Sequence, residues 1–280
     1  MDTSAKDEMI FSFAEWLRDQ GKSDNTIKTY TGVLSQFCDQ TQKEMLMEIH
    51  SEDVQDYLDN LENCKKSPGT IEKHYIALNV FFKFLGKPQI MLPVERKVKE
   101  YKHEVPETLS IKEQEILLRD IEAEGNLRNI AIVYLLLHTG IRVSELCDLN
   151  GSDVIMDKER NYILVRNAKG EIDRSVPLTQ SVIQHVKNYL NSLKDKADPL
   201  FLSSYNQRIT PRSVQYILKK YNVHPHKLRH TFCQRLVDNG IDVQTISKLA
   251  GHKDLNVTKR YLKEKSLDLE DAIDQTFTKH

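Results

Sequence analysis

Apolar residues in the first third of the chain recur three and four positions apart, which is the spacing of amphipathic helices. The clearest stretch runs from Ile27 to Phe37. Four helices are predicted in residues 1–86, with expected starts near residue 7, after a cap at Ser23, after a cap at Ser51, and at Ser67-Pro68. This part of the chain is therefore expected to be a helical domain.

Residues 87–108 break the helical pattern. They include Pro88, Pro93 and Pro106, and charged residues alternate with isolated apolar ones. This composition favours an extended, basic linker between two domains. A linker of this kind could lie along a phosphate backbone.

A second domain is predicted over residues 109–265. Ser110 and Glu113 have the spacing of a capping box and open its first helix. Between residues 162 and 177 the period changes to alternation around Gly170, which predicts a β-hairpin. The remaining helices are expected near residues 110–124, 127–138, 142–149, 179–193, 211–220, 227–240, 243–250 and 254–261. The predicted fold class is mainly α with a small β-sheet (α+β) in this domain.

Composition narrows the class of protein. A chain of 280 residues has room for about two domains. The longest apolar run, from Ile130 to Leu137, is far shorter than the roughly 20 residues of a membrane span, and residues 1–20 lack the pattern of a signal peptide. The four cysteines form no CxxC pair, which is typical of free thiols in a reducing compartment. We therefore expect a cytoplasmic protein that does not contact a membrane.

Charge is distributed unevenly along the chain. The net charge is −1, but residues 1–100 carry −4 and residues 101–280 carry +3. No acidic residue lies between Asp198 and Asp238, and this basic window contains Arg208, Arg212, Lys219, Lys220, Lys227, Arg229 and Arg235. Such a window suits a polyanion, although a solvated surface explains the charge equally well.

Four polar clusters in the second domain carry candidate chemistry. In the motif TGIRVSEL, Gly140 ends an apolar helix and Arg142 begins the next. Glu145 follows three residues later, so it shares a helical face with Arg142 and can hold its guanidinium. Taken alone, this pair is also typical of an ordinary protein surface.

The other three clusters lie further along the chain. Lys169 is expected at the tip of the hairpin, in the sequence NAKG. The sequence HKLRH places His226 and Arg229 on one helical face, and LAGH ends at His252, nine residues before Tyr261. Each of these residues has an ordinary structural explanation when it is considered alone.

Neither a metal nor a nucleotide cofactor is expected. His226 and His230 have an i,i+4 spacing, but no Glu lies between them as in HExxH, and the basic window offers no acidic ligand. The chain contains no GxxxxGK[ST] phosphate-binding loop and no evident acidic set for magnesium. Instead, two Arg, two His, one Lys and one Tyr form an inventory that supports phosphodiester transesterification without a metal.

In order and spacing, the motifs TGIRVSEL, HKLRHTF and LAGH and the tyrosine at 261 resemble those of the tyrosine recombinases, also called the phage integrase family. The resemblance is strong over about residues 105–265. The stretch SDNTIKTYTGVLSQF is similar, more loosely, to the helical core-binding domain of the family. The short chain is most like the compact Xer-type or transposon-encoded members.

The resemblance implies a role for each site residue. Tyr261 would attack the scissile phosphate and form a 3′-phosphotyrosyl link, and no ATP would be needed for rejoining. Arg142 and Arg229 would clamp the phosphate, and His252 would add a hydrogen bond to it.

Three further residues would assist this chemistry. Lys169 would protonate the 5′ oxygen of the leaving strand. Arg166 and Arg174 lie close to it in sequence, so the choice among these three cations stays open. His226 would assist proton transfer from Tyr261, and Glu145 would orient the site.

The resemblance also implies partners. Two domains would form a clamp around a double-stranded DNA recombination site, and four protomers would assemble on two sites, with a partner recombinase or accessory protein left open. The tail of residues 266–280 would dock on a neighbouring protomer or pack on its own domain.

Three alternatives to this interpretation stay open. A catalytically silent DNA-binding architectural or regulatory protein could share the fold, and a relaxing topoisomerase could share the chemistry. Within the recombinases, resolution of dimers or cointegrates is favoured over integration.

Overall fold

The computed structural model describes residues 3–41, 48–95, 106–157, 160–167, 170–193, 198–252, 254–259 and 261. Within these ranges the chain is mainly α-helical with one small antiparallel sheet, so the predicted fold class is confirmed. The chain divides into two compact units, Met1–Lys102 and His103–His280. No helix in the described ranges is both long enough and apolar enough to cross a membrane.

Within its described residues, the first unit contains four α-helices, and a short 3₁₀ helix follows the last of them. The α-helices are α1 (Thr3–Asp19), α2 (Asp24–Thr41), α3 (Ser51–Asn63) and α4 (Pro68–Phe84), and the 3₁₀ helix is Pro88–Met91. Their apolar faces meet in a core rich in aromatic rings, including Phe13, Phe37, Tyr57, Phe81 and Phe82.

Local sequence signals explain where these helices begin. The side chain of Ser67 accepts a hydrogen bond from the backbone N–H of Thr70, and Pro68 occupies the first helical position, as predicted. The cap of α3 differs from the prediction by one residue. His50 holds the cap position in place of Ser51, because the carboxylate of Asp53 reaches back to the His50 N–H at 2.8 Å.

The segment that follows α4 is not wholly extended, contrary to the prediction for residues 87–108. Its first part forms the 3₁₀ helix, and Met91 and Val94 are buried in the core of the helical unit. Burial of these two side chains outweighs the extended preference of the proline-rich sequence. Residues 96–105 of the predicted linker lie outside the described ranges.

The second unit contains eight α-helices and three strands within its described residues. The helices are α5 (Ile111–Ala123), α6 (Leu127–Thr139), α7 (Val143–Asp148), α8 (Gln180–Ser192), α9 (Pro211–Lys219), α10 (Pro225–Asp238), α11 (Val243–Ala250) and α12 (Leu255–Lys259). The strands are β1 (Val154–Met156), β2 (Asn161–Arg166) and β3 (Ile172–Pro177), and a short 3₁₀ helix, Gly151–Asp153, precedes β1.

Helix α6 is the centre of the second unit. Every residue from Ile130 to Leu137 is buried, because the helix is apolar on all sides and packs against α5, α8 and α10. It ends at Gly140, which adopts the left-handed conformation with φ of 62°. This turn delivers the chain directly to Arg142, which caps α7.

The sheet is antiparallel in the order β1-β2-β3, so the predicted hairpin is present and a third strand adds to it. Ile163 pairs with Val154 on one side and with Val176 on the other, and all three side chains are buried. Strand β1 is three residues long, which is too short for an alternating pattern to be recognised in the sequence.

A buried polar pair in the first unit makes stability dependent on pH. His74 accepts or donates a hydrogen bond with the Tyr57 hydroxyl at 2.8 Å. Burial, followed by the charges of Lys73 and Lys66, lowers the pKa of His74 from 6.5 to about 4. His74 is therefore protonated less readily in the folded state than in the unfolded chain. Its contribution to the free energy of unfolding is fully present above pH 6.5 and is lost as the pH falls toward 4.

We expect this histidine to contribute up to about 3 kcal/mol to the loss of stability at acidic pH. Trp16 is the sole tryptophan and lies in α1, so its fluorescence during urea unfolding reports on the helical unit. The unfolding midpoint should decrease between pH 6.5 and 4.5 more steeply in the wild type than in His74→Gln, which cannot titrate there. Parallel curves for the two proteins would contradict the assignment.

Candidate active site

A cleft of about 1050 Å³ opens between the sheet, the start of α7 and the end of α11. It brings together residues that are distant in sequence, and both guanidinium and carboxylate groups face it. The charged residues and the histidine on its lining are Arg142, Glu145, Asp148, Arg166, Asp173, Arg174, Lys248 and His252.

Glu145, three residues later in the chain, holds Arg142 at the start of α7. The backbone N–H of Arg142 donates to Glu145 Oε2 at 2.7 Å, and its Nη1 donates to Glu145 Oε1 at 2.8 Å. Its Nη2 donates to the carbonyl of Gly251 at 2.6 Å. The predicted pairing of Arg142 with Glu145 is therefore present, and it also ties α7 to the turn before His252.

Arg229 is a buried cation with an unsatisfied donor. Its side chain lies on α10, is 6% exposed, and donates from Nη1 to the carbonyl of Gly140 at 2.5 Å. Its Nη2 has no hydrogen-bond partner among the described residues although it is buried. Burial, and next the charge of Arg142, lowers the pKa of Arg229. An unpaired buried guanidinium N–H is costly, and an anionic ligand would relieve that cost.

His252 follows the left-handed turn at Gly251 and lines the cleft. Its Nδ1 is 2.7 Å from the Thr258 hydroxyl, which fixes the ring. Burial, followed by the positive charges of Arg229 and Arg142, lowers the pKa of His252 to about 4. The imidazole is therefore neutral at neutral pH.

His226 belongs to the same positive environment. It lies in the first turn of α10, which begins two residues earlier than predicted because His224 caps it and Pro225 takes the first helical position. Burial, then His224 and Arg229, lowers the pKa of His226.

Tyr261 lies just after α12 and is 2% exposed. Its hydroxyl is 3.0 Å from Nδ1 of His230, and its ring packs in a small apolar cluster with Cys233, Ile246 and Ala250. The histidine in contact with this hydroxyl is thus His230, which entered the sequence analysis only as a metal ligand, a role that was not favoured there. The proton-transfer role of His226 stays a prediction.

Lys169 lies outside the described residues, as does the tail of residues 266–280. Asn167 and Gly170, on the two sides of the gap at the hairpin tip, both line the cleft. Arg166 supports this tip, because it pairs with the buried Asp153 at 2.8 Å and donates to the carbonyl of Gly170 at 3.0 Å.

Sequence reasoning missed Arg174 and His230 as members of the site. Arg174 lies on the same side of β3 as the buried Val176, and a cation at an inward strand position is a usable signal. His230 is one turn after His226 on α10, so it could have been placed near the same centre.

The arrangement is suited to binding an anion that accepts hydrogen bonds from more than one guanidinium group. Burial, and next the charges of Arg229, Arg142, His230 and Arg174, lower the pKa of His252. Hydrogen bonds also tie Arg142 to Gly251 and Arg174 to Leu249, just before this histidine. Guanidinium groups bind phosphate oxygens through paired, charge-assisted hydrogen bonds. Among the described residues, no group of three or more His, Cys, Asp or Glu side chains is arranged to hold a metal ion.

Comparisons with known proteins show the family to which the chain belongs. Residues 107–267 match the phage integrase family, and residues 10–90 match the N-terminal SAM-like domain of phage integrases. The tyrosine recombinase XerA of Pyrococcus horikoshii is 32% identical over 96% of this chain and 93% of its own length. The TnP I resolvase of Bacillus thuringiensis is 25% identical over 94% of this chain and 97% of its own length.

A solved structure shares the fold. The integrase of the Tn1549 transposon, solved with circular intermediate DNA, has a TM-score of 0.75 and 22% identity, covering 95% of this chain and 98% of the other. The chain therefore belongs to the phage integrase family. It is a tyrosine recombinase of the Xer-like type, an enzyme of site-specific recombination.

The turn at Gly140 should tolerate no side chain. A Cβ there would lie 2.2 Å from the Phe232 ring, whereas a Cβ at Gly125 would meet nothing within 4 Å, although both glycines have φ above 60°. Both alanine variants should lose about 1–2 kcal/mol from the left-handed backbone.

Gly140→Ala should lose roughly 2 kcal/mol more than Gly125→Ala, because the ring must move. Urea unfolding followed by circular dichroism measures both changes. Equal losses for the two variants would show that the close contact at Gly140 is unimportant.

Proposed function

We propose that this recombinase cuts and rejoins DNA through a 3′-phosphotyrosyl intermediate at Tyr261, using neither a metal nor ATP. One observation carries the proposal: Arg142 donates to the carbonyl of Gly251 beside His252, Arg229 donates to the carbonyl of Gly140 just before Arg142, and a buried N–H of Arg229 is left unsatisfied. A phosphodiester entering the cleft would provide the missing acceptor.

In the proposed reaction, the hydroxyl oxygen of Tyr261 attacks phosphorus and the bond from phosphorus to the 5′ oxygen breaks. Arg142 and Arg229 hold the nonbridging oxygens and stabilise the charge that develops on them. His252 is neutral and held by Thr258, so it can donate one hydrogen bond without adding charge.

Two proton transfers accompany this step. The Tyr261 proton must leave as the phosphotyrosine forms, and the contact with His230 at 3.0 Å makes that imidazole a candidate acceptor beside His226. The departing 5′ oxygen must gain a proton, and we assign that donation to Lys169, whose chain neighbours line the cleft. The reverse reaction uses the same groups, and the phosphotyrosyl bond retains the energy of the broken strand.

Duplex DNA is the proposed partner, with the two units as a clamp and four protomers on two sites. The basic window supports this partner, because Arg212 and Lys219, on helix α9, have exposed side chains that phosphates can reach. Tyr216 on the same helix is also exposed.

Resolution of dimers or cointegrates is proposed over integration. The similarity to a protein named a resolvase extends over nearly the whole chain and favours this choice. The transposon integrase shares the fold at lower identity, which does not decide between the two outcomes.

The nucleophile can be tested without knowing the natural site. Wild-type protein is incubated with duplexes of random sequence that carry a single nick, and covalently attached DNA is recovered after denaturation and sequenced. The wild type should form an SDS-resistant adduct, and Tyr261→Phe should bind the enriched duplex normally yet form none.

Tyr205→Phe is the matched control, because this tyrosine is 86% exposed and lies outside the cleft lining. It should form the adduct as the wild type does. Recovery of an adduct from Tyr261→Phe would refute the nucleophile assignment, and no adduct from the wild type would favour a silent DNA-binding protein.

Arg229→Ala should separate DNA binding from cleavage. The buried guanidinium stabilises charge that appears only in the transition state, so the rate of adduct formation should fall by about three orders of magnitude. The dissociation constant for DNA should change by only a few fold. A proportional loss of affinity and rate would instead indicate a ground-state contact.

A further inference from the structure

Arg174 makes four polar contacts at the cleft, twice as many as the guanidinium of Arg142 makes among the described residues. Its Nη1 and Nη2 bind the two carboxylate oxygens of Glu145 at 3.1 and 2.9 Å. Its Nε donates to the carbonyl of Leu249 at 2.9 Å, and Nη1 also contacts Asp173 at 3.1 Å. Four hydrogen bonds to the protein thus occupy a guanidinium whose side chain is only 9% exposed.

The contrast with Arg142 separates two roles. Both arginines bind Glu145, but the side chain of Arg142 is 40% exposed and reaches the cleft surface. An arginine whose donors are taken by protein acceptors is poorly placed to grip a phosphate. Arg174 is therefore arranged to hold other residues, while Arg142 is available to bind.

Gly251 connects Arg174 to the turn before His252. A Cβ on Gly251 would lie 2.5 Å from Nη1 of Arg174, so the guanidinium packs directly against this backbone. The carbonyl of the same glycine accepts the hydrogen bond from Arg142. Strand β3, the start of α7 and the end of α11 are thereby joined around one side chain.

We propose that Arg174 is a positioning residue for strand cleavage, which sets Glu145, and through it Arg142, in register with His252; this role rests on the proposed function. The planar guanidinium binds both oxygens of Glu145 while its Nε holds α11. A lysine has the same charge but cannot reproduce this two-sided geometry.

The test uses the full chain and the duplex that the wild type enriches from the nicked random pool. Single-turnover adduct formation at saturating protein gives a rate constant and an amplitude, and a binding assay gives the DNA affinity. Arg174→Gln and Arg174→Lys should both lower the rate constant by about 100-fold. Amplitude and affinity should stay within a few fold of the wild type, because a folding defect lowers the amplitude of the folded fraction and not its rate constant.

A double-mutant cycle tests the route through Glu145. If Arg174 acts by holding that carboxylate, Arg174→Gln combined with Glu145→Gln should be hardly slower than the slower single variant. A rate constant of the double variant that falls by the product of the two single losses would overturn the proposed route.

Arg128→Gln provides the matched control. Arg128 also anchors a backbone carbonyl of the second unit, that of Leu202 at 2.8 Å, but lies outside the cleft lining and outside the basic window. Its loss should lower thermal stability and leave the cleavage rate constant within a few fold. A similar loss of rate in this control variant would show that the effect of Arg174 on cleavage comes from a general loss of stability.

The outcomes separate this inference from the function on which it rests. A wild-type protein that forms no Tyr261-dependent adduct would refute both. A wild type that cleaves, with Arg174→Gln at the same rate or with Arg174→Lys fully restored, would refute the positioning role alone.

Discussion

Positive charge is concentrated around one cleft, and the folded chain has to hold it there before any ligand arrives. Three guanidinium groups, those of Arg142, Arg174 and Arg229, share the carboxylate of Glu145 as their common acidic neighbour among the described residues. Burial works to raise the pKa of Glu145, yet the hydrogen bonds from Arg174 and from the backbone of Arg142 lower it. The carboxylate therefore stays ionised and offsets only part of the surrounding charge.

Burial, together with this repulsion, explains the protonation state of His252. An imidazolium would add a further positive charge to the cleft, and the pKa of His252 is accordingly about 4. A neutral ring can donate a hydrogen bond to an oxyanion without weakening the guanidiniums that bind it. In the proposed reaction, the charge of the phosphate would relieve the same repulsion, so part of the binding energy would be built into the unliganded protein.

Much of the fold could be predicted from sequence because it depends on local signals. The apolar run in α6, the capping box at Ser110 and the glycine at 140 each determine structure within a few residues. The order of the family motifs likewise placed Arg142, Glu145 and His252. The inward strand position of Arg174 is a local signal, but its contact with Leu249 joins positions 75 residues apart and could not be found in this way. The contact of Tyr261 with His230 joins positions 31 residues apart and could not be found either.

Rigidity at the cleft follows from how its members are attached. Arg229 is tied to the carbonyl of Gly140, and Arg142 to that of Gly251, so two left-handed glycine turns hold the two guanidinium groups to which the proposed reaction assigns the phosphate. The first turn ends α6, whose side chains are buried on every face, so displacing it would disturb the core of the unit. The second turn rests on Arg174 and on the short helix α11. Because α11 has eight residues and fewer buried neighbours than α6, the guanidinium of Arg174 supplies a constraint that packing alone provides around α6.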